Sequence, residues 1–316
     1  MTILACDLGG TRMKIGVVHD GRVLAQTTEP ANSKAGLAPG LPALKSAWLR
    51  LLSDLKLEVR DRTGISVAFP SLVDVSSGRV LAEYGKYADA MDLDLRAWAQ
   101  TELNLPLAIE NDARLALVGE WQYGAGRGSD DLVMITLGTG LGTAAVIEGR
   151  LLRGRHGQAG VLGGHSTVRY SGRDCCCGSI GCAEAEASTA TLRDFALGLS
   201  EWNACSLWKS GSLDYAAVFN HAKAGDRCAL KLREHSLLIW ATLAVNLIHG
   251  YDPELVILGG GIMASGDVIL PAVGEYVRRH AHTPWGKLHV VAGELGDAAA
   301  LLVGGWLLQE QQPMLR

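Results

Sequence analysis

Apolar and polar positions alternate along the chain in a way that predicts an α/β protein. Near the N-terminus, three short apolar runs are broken by Gly-containing turns, which is typical of a strand meander: TILACDL (2–8), KIGVV (14–18) and VLAQTT (23–28). Apolar residues at helical spacing over 41–60 predict a helix. The pattern then predicts these elements: a strand at 65–69, a helix at about 93–104, a strand at 105–110 and a helix beginning near Asn111.

A second meander is predicted at 131–152, and it resembles the first. LGGTRMKIGVVHDGRVL (8–24) and LGTGLGTAAVIEGRLL (137–152) share a strand end, a Gly-rich turn, an apolar strand and a Gly-Arg turn. We interpret this as internal duplication, which favours two lobes with a ligand held between them. The rest is predicted to be mostly helical to residue 251, followed by these elements: a strand at 254–261, a helix, a strand at 288–293 and a last helix at 296–309.

Composition narrows the function classes. The chain has 316 residues, of which 48% are hydrophobic, and a formal net charge of −4, so we expect two domains, no nucleic-acid partner and no membrane span. Seven cysteines without a signal-peptide pattern predict reduced thiols and a cytoplasmic protein. Cys6, Cys205 and Cys228 stand apart from the others and are predicted to be small buried apolar residues.

Both Gly-rich turns carry candidate phosphate-binding chemistry. In DLGGTRMK (7–14), glycines let backbone N–H groups approach a ligand, Asp7 could hold Mg²⁺, and Thr11 and Lys14 could contact phosphate. TLGTGLG (136–142) offers the same chemistry. Either turn alone is equally consistent with a plain hairpin. Together with LGGG (258–261) they favour a nucleotide, although the chain lacks the GxxxxGK[ST] pattern of P-loop proteins.

A strand-to-helix junction follows in IENDARLALVGE (109–120). Asn111 and Asp112 at this junction are consistent with simple capping of the helix. A carboxylate at such a point in a cleft could also act as a general base that accepts the proton of a substrate hydroxyl.

A cysteine cluster provides a candidate metal site. The spacing H-x9-C-x-C-x4-C is formed by four residues, namely His165, Cys175, Cys177 and Cys182. One imidazole and three thiolates suit a closed, structural Zn²⁺ site. The alternatives are disulfides, which the predicted compartment disfavours, and unliganded thiols in a Cys-rich loop. Cys176 is predicted to be a bystander.

The chain resembles the ROK family (repressors, open reading frames, kinases) of the actin-like, Hsp70-like sugar kinase superfamily. The resemblance rests on these segments: DLGGTRMKIG (7–16), ENDARLALVGE (110–120), TLGTGLG (136–142), GH (164–165), CCCGSIGCAE (175–184) and LVILGGGI (255–262). It implies a two-lobed actin-like ATPase (ribonuclease H-like) fold with duplicated domains and an interlobe cleft. We expect a small lobe of residues 1–112 plus 297–316 and a large lobe of residues 113–296 that carries the zinc motif.

The resemblance also implies roles for individual residues. Asp112 matches the family's catalytic base, which accepts the proton of a sugar hydroxyl, usually at carbon 6. The positions that match sugar contacts are Asn111, His165 and Glu184, and His165 also matches a zinc ligand. The ATP phosphates, with Mg²⁺, would be held by the two hairpins, whose matching residues are Asp7, Gly9, Gly10, Thr11, Lys14, Gly138, Thr139 and Gly140. The adenosine pocket is matched by Gly259, Gly260 and Gly261. Members commonly form homodimers, so we expect one here.

The chain departs from the family pattern at three places, so the resemblance does not assign the sugar. Val161 in AGVLGGH (159–165) stands where the family has a sugar-binding glutamate, and the segment is one residue longer. Ser71 replaces a glycine near a substrate hydroxyl and is a further candidate sugar contact. The family's proline-asparagine-leucine stretch is replaced by EYGKYADAMDL (83–93), whose Glu83, Lys86 and Tyr87 either contact the sugar or are exposed loop residues.

Three functions are consistent with these features. The first is an ATP-dependent kinase for a hexose or hexose derivative. The second is a transcriptional repressor, which is disfavoured because family repressors carry a helix-turn-helix before the kinase-like body, whereas here the phosphate hairpin begins at Asp7. The third is a kinase-like sugar-binding or regulatory protein with little turnover, which the retained Asp112 and both hairpins disfavour.

Overall fold

The first large sheet joins a strand meander to two parallel strands. Its order is β3-β2-β1-β4-β7, where β1–β2 and β2–β3 are antiparallel and β1–β4 and β4–β7 are parallel. The strand bounds are Thr2–Leu8 (β1), Arg12–His19 (β2), Arg22–Pro30 (β3), Gly64–Phe69 (β4) and Leu107–Asn111 (β7). A short antiparallel pair outside this sheet comprises Val73–Asp74 (β5) and Arg79–Val80 (β6).

The second large sheet repeats this topology. Its order is β10-β9-β8-β11-β12, with β8–β9 and β9–β10 antiparallel and β8–β11 and β11–β12 parallel. The strand bounds are Leu132–Leu137 (β8), Leu141–Ile147 (β9), Arg150–Leu151 (β10), Leu255–Gly259 (β11) and His289–Ala292 (β12). Each sheet thus begins with a meander whose first hairpin carries a Gly-rich turn, as the duplicated pattern in the sequence predicts.

Helices connect and cover the strands. Their bounds are Leu41–Asp54 (α1), Leu95–Leu103 (α2), Asp112–Tyr123 (α3), Ala183–Ala187 (α4), Leu192–Leu197 (α5), Tyr215–Lys223 (α6), Arg227–Tyr251 (α7), Gly266–His280 (α8), Ala299–Leu302 (α9) and Gly304–Gln311 (α10). Within the residues that the structure describes, no helix combines the length and apolarity that a bilayer crossing needs.

The chain divides into two compact units in this computed structural model, which describes residues 1–207 and 213–312. The first unit comprises Met1–Arg127, Arg153–Ala159 and the described residues from Asp297 onward. The second comprises Gly128–Leu152 and Gly160–Gly296. Residues 313–316, which the sequence analysis assigned to the small lobe, and residues 208–212 of the predicted helical part lie outside the described residues.

The first unit extends past the boundary expected at residue 112. Helix α3 belongs to this unit because it packs on α9, so closely that a Cβ atom at Gly119 would lie 2.4 Å from the backbone oxygen of Ala299. The segment Arg153–Ala159 belongs to it because the buried guanidinium of Arg114, in α3, donates to the carbonyl oxygens of Gly157 (2.9 Å) and Ala159 (2.8 Å).

Each unit has its own apolar core, with a buried tryptophan in it. In the first unit the indole N–H of Trp48 donates to the carbonyl oxygen of Ala5 in β1 at 3.1 Å. In the second unit the indole N–H of Trp240 donates to the carbonyl oxygen of Ala187 at 3.0 Å. The rings therefore fill the cores without leaving their polar atoms unpaired.

Two predicted helices have different bounds in the structure. Helix α1 ends at Asp54 rather than near residue 60, because the backbone turns into the left-handed region at Lys56, where φ is 55°. The predicted last helix is broken at Val303 into α9 and α10. Next to this break, a Cβ atom at Gly304 would lie 2.2 Å from Cδ1 of Ile3 and 2.8 Å from Cβ of Ser66, so a larger residue there would require these side chains to move.

The close approach of α3 and α9 gives a stability prediction. We expect Gly119→Ala to lower the free energy of unfolding by about 1–3 kcal/mol, because the added methyl group meets rigid backbone. Gly274→Ala in α8 is the matched control, since a Cβ atom there has no neighbour within 4 Å. The control should be neutral or more stable by up to about 1 kcal/mol, as helix propensity requires. Urea denaturation of both variants measures this, and equal stability of the two would contradict the account.

Candidate active site

The hairpin between β1 and β2 is closed by a backbone hydrogen bond at its base. The N–H of Gly9 donates to the carbonyl oxygen of Arg12 at 2.9 Å, and a Cβ atom at Gly9 would lie 2.7 Å from that oxygen. Glycine is therefore required at position 9. Thr11, at the tip, is exposed.

The peptide groups of this hairpin are held through their carbonyl oxygens. Those of Gly9, Gly10 and Thr11 accept hydrogen bonds from Tyr87 Oη (2.8 Å), Ser33 Oγ (2.6 Å) and the Ala31 N–H (3.0 Å), respectively. By contrast, the N–H groups of Gly10 and Thr11 have no acceptor among the described residues. Consecutive unpaired N–H groups at a tight turn are the donor set that an anion-binding nest requires.

The hairpin between β8 and β9 repeats this arrangement in the second unit. The N–H of Gly138 donates to the carbonyl oxygen of Gly140 at 3.1 Å. The carbonyl oxygens of Gly138 and Thr139 accept from the N–H groups of Thr189 (3.1 Å) and Ala190 (3.0 Å). The N–H groups of Thr139 and Gly140 have no acceptor in the part of the chain that the structure describes. In both hairpins, therefore, the carbonyl oxygens are bound by residues outside the turn, and two N–H groups are available to a ligand.

A glycine segment follows β11 and contacts the same hairpin. A Cβ atom at Gly260, where φ is 90°, would lie 2.3 Å from the carbonyl oxygen of Leu137, and one at Gly259 would lie 2.4 Å from Cε of Met134. Gly261, in contrast, has open space where its Cβ atom would be. The backbone at Gly260 is therefore packed closely on the end of β8, whereas no described atom lies within 4 Å of a Cβ atom at Gly261.

Asp7, near the end of β1, is a partly buried carboxylate paired with a lysine. Its Oδ2 accepts a hydrogen bond from Lys14 Nζ at 3.0 Å, and the same ammonium lies 2.9 Å from Oδ1 of Asp297. Oδ1 of Asp7 accepts no hydrogen bond from the described residues. The carboxylate could therefore hold Mg²⁺, directly or through water, and Lys14 compensates its charge.

Asp112 is the first residue of α3, and Asn111 is the N-cap. Asn111 Oδ1 accepts from the Arg114 N–H at 3.1 Å, so the capping role is present. Asn111 Nδ2 also donates to Oδ1 of Asp112 at 3.1 Å, and the Ala113 N–H donates to the same oxygen at 2.7 Å. Oδ2 of Asp112 receives no hydrogen bond from the described residues. The junction therefore combines a helix cap at Asn111 with a carboxylate, that of Asp112, in which one oxygen is held and the other can accept a hydrogen bond.

The electrostatics around Asp112 favour a carboxylate that titrates near neutrality. Burial, and then the negative charge of Asp7, raise the pKa of Asp112 to about 6. The positive charges of Lys86 and Lys14 oppose this rise. A pKa close to the working pH is what an efficient general base needs.

A buried ion network anchors the strand before Asp112. Glu110 and Arg114 are fully buried, and Arg114 Nη1 donates to Oε1 of Glu110 at 3.2 Å. Arg153 Nε donates to the other oxygen of Glu110 at 2.7 Å. No motif in the sequence singles out Arg114 or Arg153, although an arginine inside the apolar face of α3 indicates a buried acidic partner.

Ser71 is buried, and its side chain is already engaged. Its hydroxyl donates to the carbonyl oxygen of Ala82, and its own carbonyl oxygen accepts from Asn111 Nδ2 at 3.1 Å. It therefore supports Asn111, and its proposed sugar contact stays a prediction.

The departing segment 83–93 lies against the first hairpin. Tyr87 is buried and its hydroxyl donates to Gly9, so the alternative of an exposed loop residue is wrong for this position. The Glu83 carboxylate accepts from the Gly85 N–H at 2.6 Å, within its own loop. Lys86 is partly exposed, and its side chain runs over Gly10.

The cysteine cluster predicted from spacing forms in the second unit. One donor atom from each of His165, Cys175, Cys177 and Cys182 lies within 4.8 Å of all the others. None of the seven cysteines forms a disulfide, and Cys6, Cys205 and Cys228 are buried as predicted. The four clustered residues could therefore hold a metal ion.

Glu184 connects this cluster to the second hairpin. Its Oε2 accepts from the Leu141 N–H at 2.9 Å, and a Cβ atom at Gly140 would lie 2.4 Å from that oxygen. Its Oε1 lies 4.0 Å from His165 Nε2 and 3.8 Å from Cys176 Sγ. Cys176, predicted to be a bystander, therefore contacts the carboxylate of Glu184, while Nδ1 of His165 faces Cys175.

Val161 is packed into the second unit. It is buried, and the turn around it is fixed by Thr143, whose hydroxyl donates to the Gly160 carbonyl oxygen (2.7 Å) and accepts from the Gly163 N–H (2.8 Å). Gly164 is also required, because a Cβ atom there would lie 1.9 Å from the carbonyl oxygen of Leu141. The departure from the family pattern is therefore accommodated as an apolar contact.

Comparisons with known proteins agree with this architecture. Residues 3–311 match the sequence model of the ROK family. The chain is 31% identical to a glucokinase of Thermotoga maritima, over 98% of each chain. It is 29% identical to a xylose repressor of Caldicellulosiruptor bescii, over 95% of this chain and 76% of the repressor. It is also similar to the solved structure of a ROK family glucokinase from Streptomyces griseus in complex with glucose and AMPPNP. The TM-score is 0.80 and the sequence identity is 28%, over 98% of this chain and 100% of the glucokinase chain.

Proposed function

We propose that this chain, which belongs to the ROK family and is a sugar kinase, transfers the terminal phosphoryl group of ATP to the 6-hydroxyl of a hexose or hexose derivative. Asp112 is the general base. The observation that carries the assignment is the state of this carboxylate. One oxygen accepts from Asn111 and Ala113, and the other has no hydrogen-bond donor among the described residues. Burial and the charge of Asp7 raise the pKa of the carboxyl group to about 6.

The proposed reaction needs one proton transfer and one phosphoryl transfer. Oδ2 of Asp112 accepts the proton of the sugar hydroxyl as that oxygen attacks the γ-phosphorus, and the bond between this phosphorus and the bridging oxygen of ADP breaks. The products are the sugar phosphate, ADP and a proton. The carboxylate is fixed before substrate arrives, so little reorganisation is needed when the hydroxyl binds.

The two hairpins are the proposed sites for the ATP phosphates. The unpaired N–H groups at Gly10, Thr11, Thr139 and Gly140 support this role, since they suit phosphate oxygens. Mg²⁺, held by Asp7, would neutralise charge on the phosphates. The open space at Gly261 supports its role in the adenosine pocket. The AMPPNP complex of the Streptomyces griseus glucokinase supports the choice of nucleotide.

The sugar contacts are proposed for Asn111, His165, Glu184 and Ser71. Glu184 fits the role best, because its carboxylate is fixed by the Leu141 N–H and its Oε1 keeps acceptor capacity toward a hydroxyl group. Val161 has no acceptor for a sugar hydroxyl at the position where the family has a glutamate. The identity of the hexose is therefore tested with the substrate panel described below.

We also propose that His165, Cys175, Cys177 and Cys182 hold a structural Zn²⁺. Tetrahedral Zn²⁺ with Zn–S of about 2.3 Å and Zn–N of about 2.0 Å places neighbouring ligand atoms about 3.5–3.8 Å apart. The Cys177 and Cys182 sulfur atoms are 3.7 Å apart, and Cys175 Sγ is 3.5 Å from His165 Nδ1, which fits these edges. With Nδ1 on the metal, Nε2 of His165 would carry the proton and would donate toward Glu184 or the sugar.

A second candidate is a sugar-binding regulator with little turnover, favoured only by the similarity to a xylose repressor. Such a protein needs the sugar contacts but not a titrating base. The state of Asp112 therefore favours the kinase.

Asp112→Asn tests the base. We expect the variant to fold and to lose about 10²–10⁴-fold in kcat, because the amide keeps the size of the side chain but cannot accept the proton. ADP release over a panel of hexoses, amino sugars and polyols measures this, with sugar binding followed by calorimetry. Asp54→Asn, at the exposed end of α1, is the control and should keep full activity. Asp89 is unsuitable as a control because its carboxylate accepts hydrogen bonds from two N–H groups. Undiminished turnover in Asp112→Asn would refute the assignment.

The pKa of Asp112 predicts the acid side of the pH profile. A base works only when ionised, so kcat/KM should be constant well above pH 6 and fall tenfold per pH unit well below it, as the carboxylate of about pKa 6 becomes protonated. A profile measured with saturating ATP and low sugar concentration gives the midpoint. A midpoint near pH 4, the ordinary value for aspartate, would show that burial and Asp7 do not act on the base as described.

Cys177→Ser tests the zinc site. We expect wild-type protein to contain one Zn²⁺ per chain and the variant to lose it, with a lower Tm, because a hydroxyl is a poor replacement for a thiolate ligand. Cys176→Ser is the matched control in the same loop and should keep the metal. Elemental analysis and thermal unfolding measure both quantities. Metal-free wild-type protein whose Tm does not rise on adding Zn²⁺ would overturn the proposal.

A further inference from the structure

The segment 83–93 is hydrogen-bonded to the first hairpin and to residues 33–38. Tyr87 donates through its hydroxyl to the Gly9 carbonyl oxygen (2.8 Å) and through its N–H to the Ser33 carbonyl oxygen (2.8 Å). The Asp89 carboxylate accepts from the N–H groups of Leu37 and Ala38. These long-range contacts fix the backbone directly after position 86, and so they restrict where the side chain of Lys86 can lie.

Lys86 lies directly over the tip of the hairpin. A Cβ atom at Gly10 would be 3.1 Å from Cε and 3.7 Å from Nζ of Lys86, so the lysine occupies space that glycine leaves open. Its ammonium group is therefore close to Gly10, and the N–H groups of Gly10 and of the next residue, Thr11, have no acceptor among the described residues.

The charge of Lys86 is not neutralised by the protein. No described carboxylate lies within ion-pair distance of its Nζ. Lys14 differs in this respect, since its ammonium is 3.0 Å from Asp7 and 2.9 Å from Asp297. An unpaired, partly buried ammonium beside unpaired N–H groups is suited to a phosphate group, which lysine binds as a point charge.

The ammonium is also electrostatically close to the proposed base. Burial and Asp7 raise the pKa of Asp112, and the charge of Lys86 is the largest influence acting in the opposite direction. A phosphate bound at Lys86 would thus be near the oxygen from which Asp112 removes the proton.

We propose that Lys86 binds the γ-phosphoryl group of ATP during its transfer and is a further catalytic residue of this enzyme. The inference rests on the proposed kinase function. Lys86 donates N–H hydrogen bonds to the phosphoryl oxygens, on which negative charge lies in the transition state, and no bond to the lysine forms or breaks.

Nucleotide affinity tests the contact without depending on turnover. We compare Lys86→Met with wild type by calorimetric titration of AMPPNP and of ADP, each with Mg²⁺. We expect AMPPNP to bind about tenfold or more weakly to the variant, since a hydrogen bond to a charged group is lost, and ADP affinity to change by less than about twofold because ADP lacks the γ-phosphate. Lys56→Met, an exposed position with the same charge change, should alter neither affinity.

Turnover gives a second readout with the best sugar of the panel. We expect Lys86→Met to lower kcat about 10²-fold, as removal of one transition-state donor does, with less change in the KM for the sugar. Lys86→Arg should restore most of this loss because it restores the charge. The acid limb of kcat/KM should move to higher pH in Lys86→Met, since the charge that lowers the pKa of Asp112 is gone.

The outcomes separate the two proposals. An active wild type with equal loss of AMPPNP and ADP affinity, or none, in Lys86→Met would overturn the role of Lys86 and leave the kinase function intact. A raised KM for the sugar with unchanged nucleotide affinities in Lys86→Met would also overturn this role. It would indicate that the ammonium binds an acidic sugar instead of ATP. Selective loss of AMPPNP affinity in a protein without sugar turnover would support the phosphate contact while refuting the kinase function. Wild type that binds no AMPPNP would overturn both.

Discussion

The burial of the Asp112 carboxylate near a second carboxylate, that of Asp7, is the constraint that shapes the candidate site in the first unit. Asp7 lies near the end of β1 and Asp112 directly follows β7, and only β4 lies between these two strands of the sheet. After burial, the charge of Asp7 is the next cause of the raised pKa of Asp112. Among the described residues, neither carboxylate has a deeply buried cationic partner. Lys14 is bound to Asp7, and Lys86 offsets the charge at Asp112 from above the hairpin. The net effect at Asp112 is a pKa raised to about 6, which suits a carboxylate that accepts the proton of a hydroxyl during phosphoryl transfer.

The backbone of the two hairpins follows the same physical rule in both units. A tight turn has both donors and acceptors, and in each hairpin the carbonyl oxygens are bound from behind by other parts of the same unit. Two N–H groups in each turn, those of Gly10 and Thr11 and those of Thr139 and Gly140, have no acceptor among the described residues, so the turn has a net preference for anions. In the second unit the carboxylate of Glu184 occupies the space over Gly140, and in the first unit Lys86 lies over Gly10. The two hairpins thus differ in the charged side chain beside them, a lysine in the first unit and a glutamate in the second.

Local patterns in the sequence predicted the meanders, the Gly-rich hairpins, the junction at Asp112 and the clustering of His165 with three cysteines. These features depend on neighbouring residues or on short spacing, which is why they were accessible. The end of α1 was missed because it depends on a left-handed residue, Lys56, that ordinary helical spacing does not reveal. The extension of the first unit beyond residue 112, and the positions of Tyr87 and Lys86, depend on contacts between distant residues, such as Arg114 with Gly157 and Tyr87 with Gly9. No single-sequence pattern encodes those pairings.

The central claim is that Asp112 accepts the proton of the hydroxyl that becomes phosphorylated. A crystal structure with AMPPNP, Mg²⁺ and the sugar that the enzyme turns over fastest tests it most directly. The account predicts that Oδ2 of Asp112 lies within about 3 Å of one sugar hydroxyl oxygen, and that this oxygen is the one that carries phosphate in the isolated product. A sugar whose phosphorylated hydroxyl is bound by another acidic or imidazole group, with Asp112 directed away from it, would contradict the account.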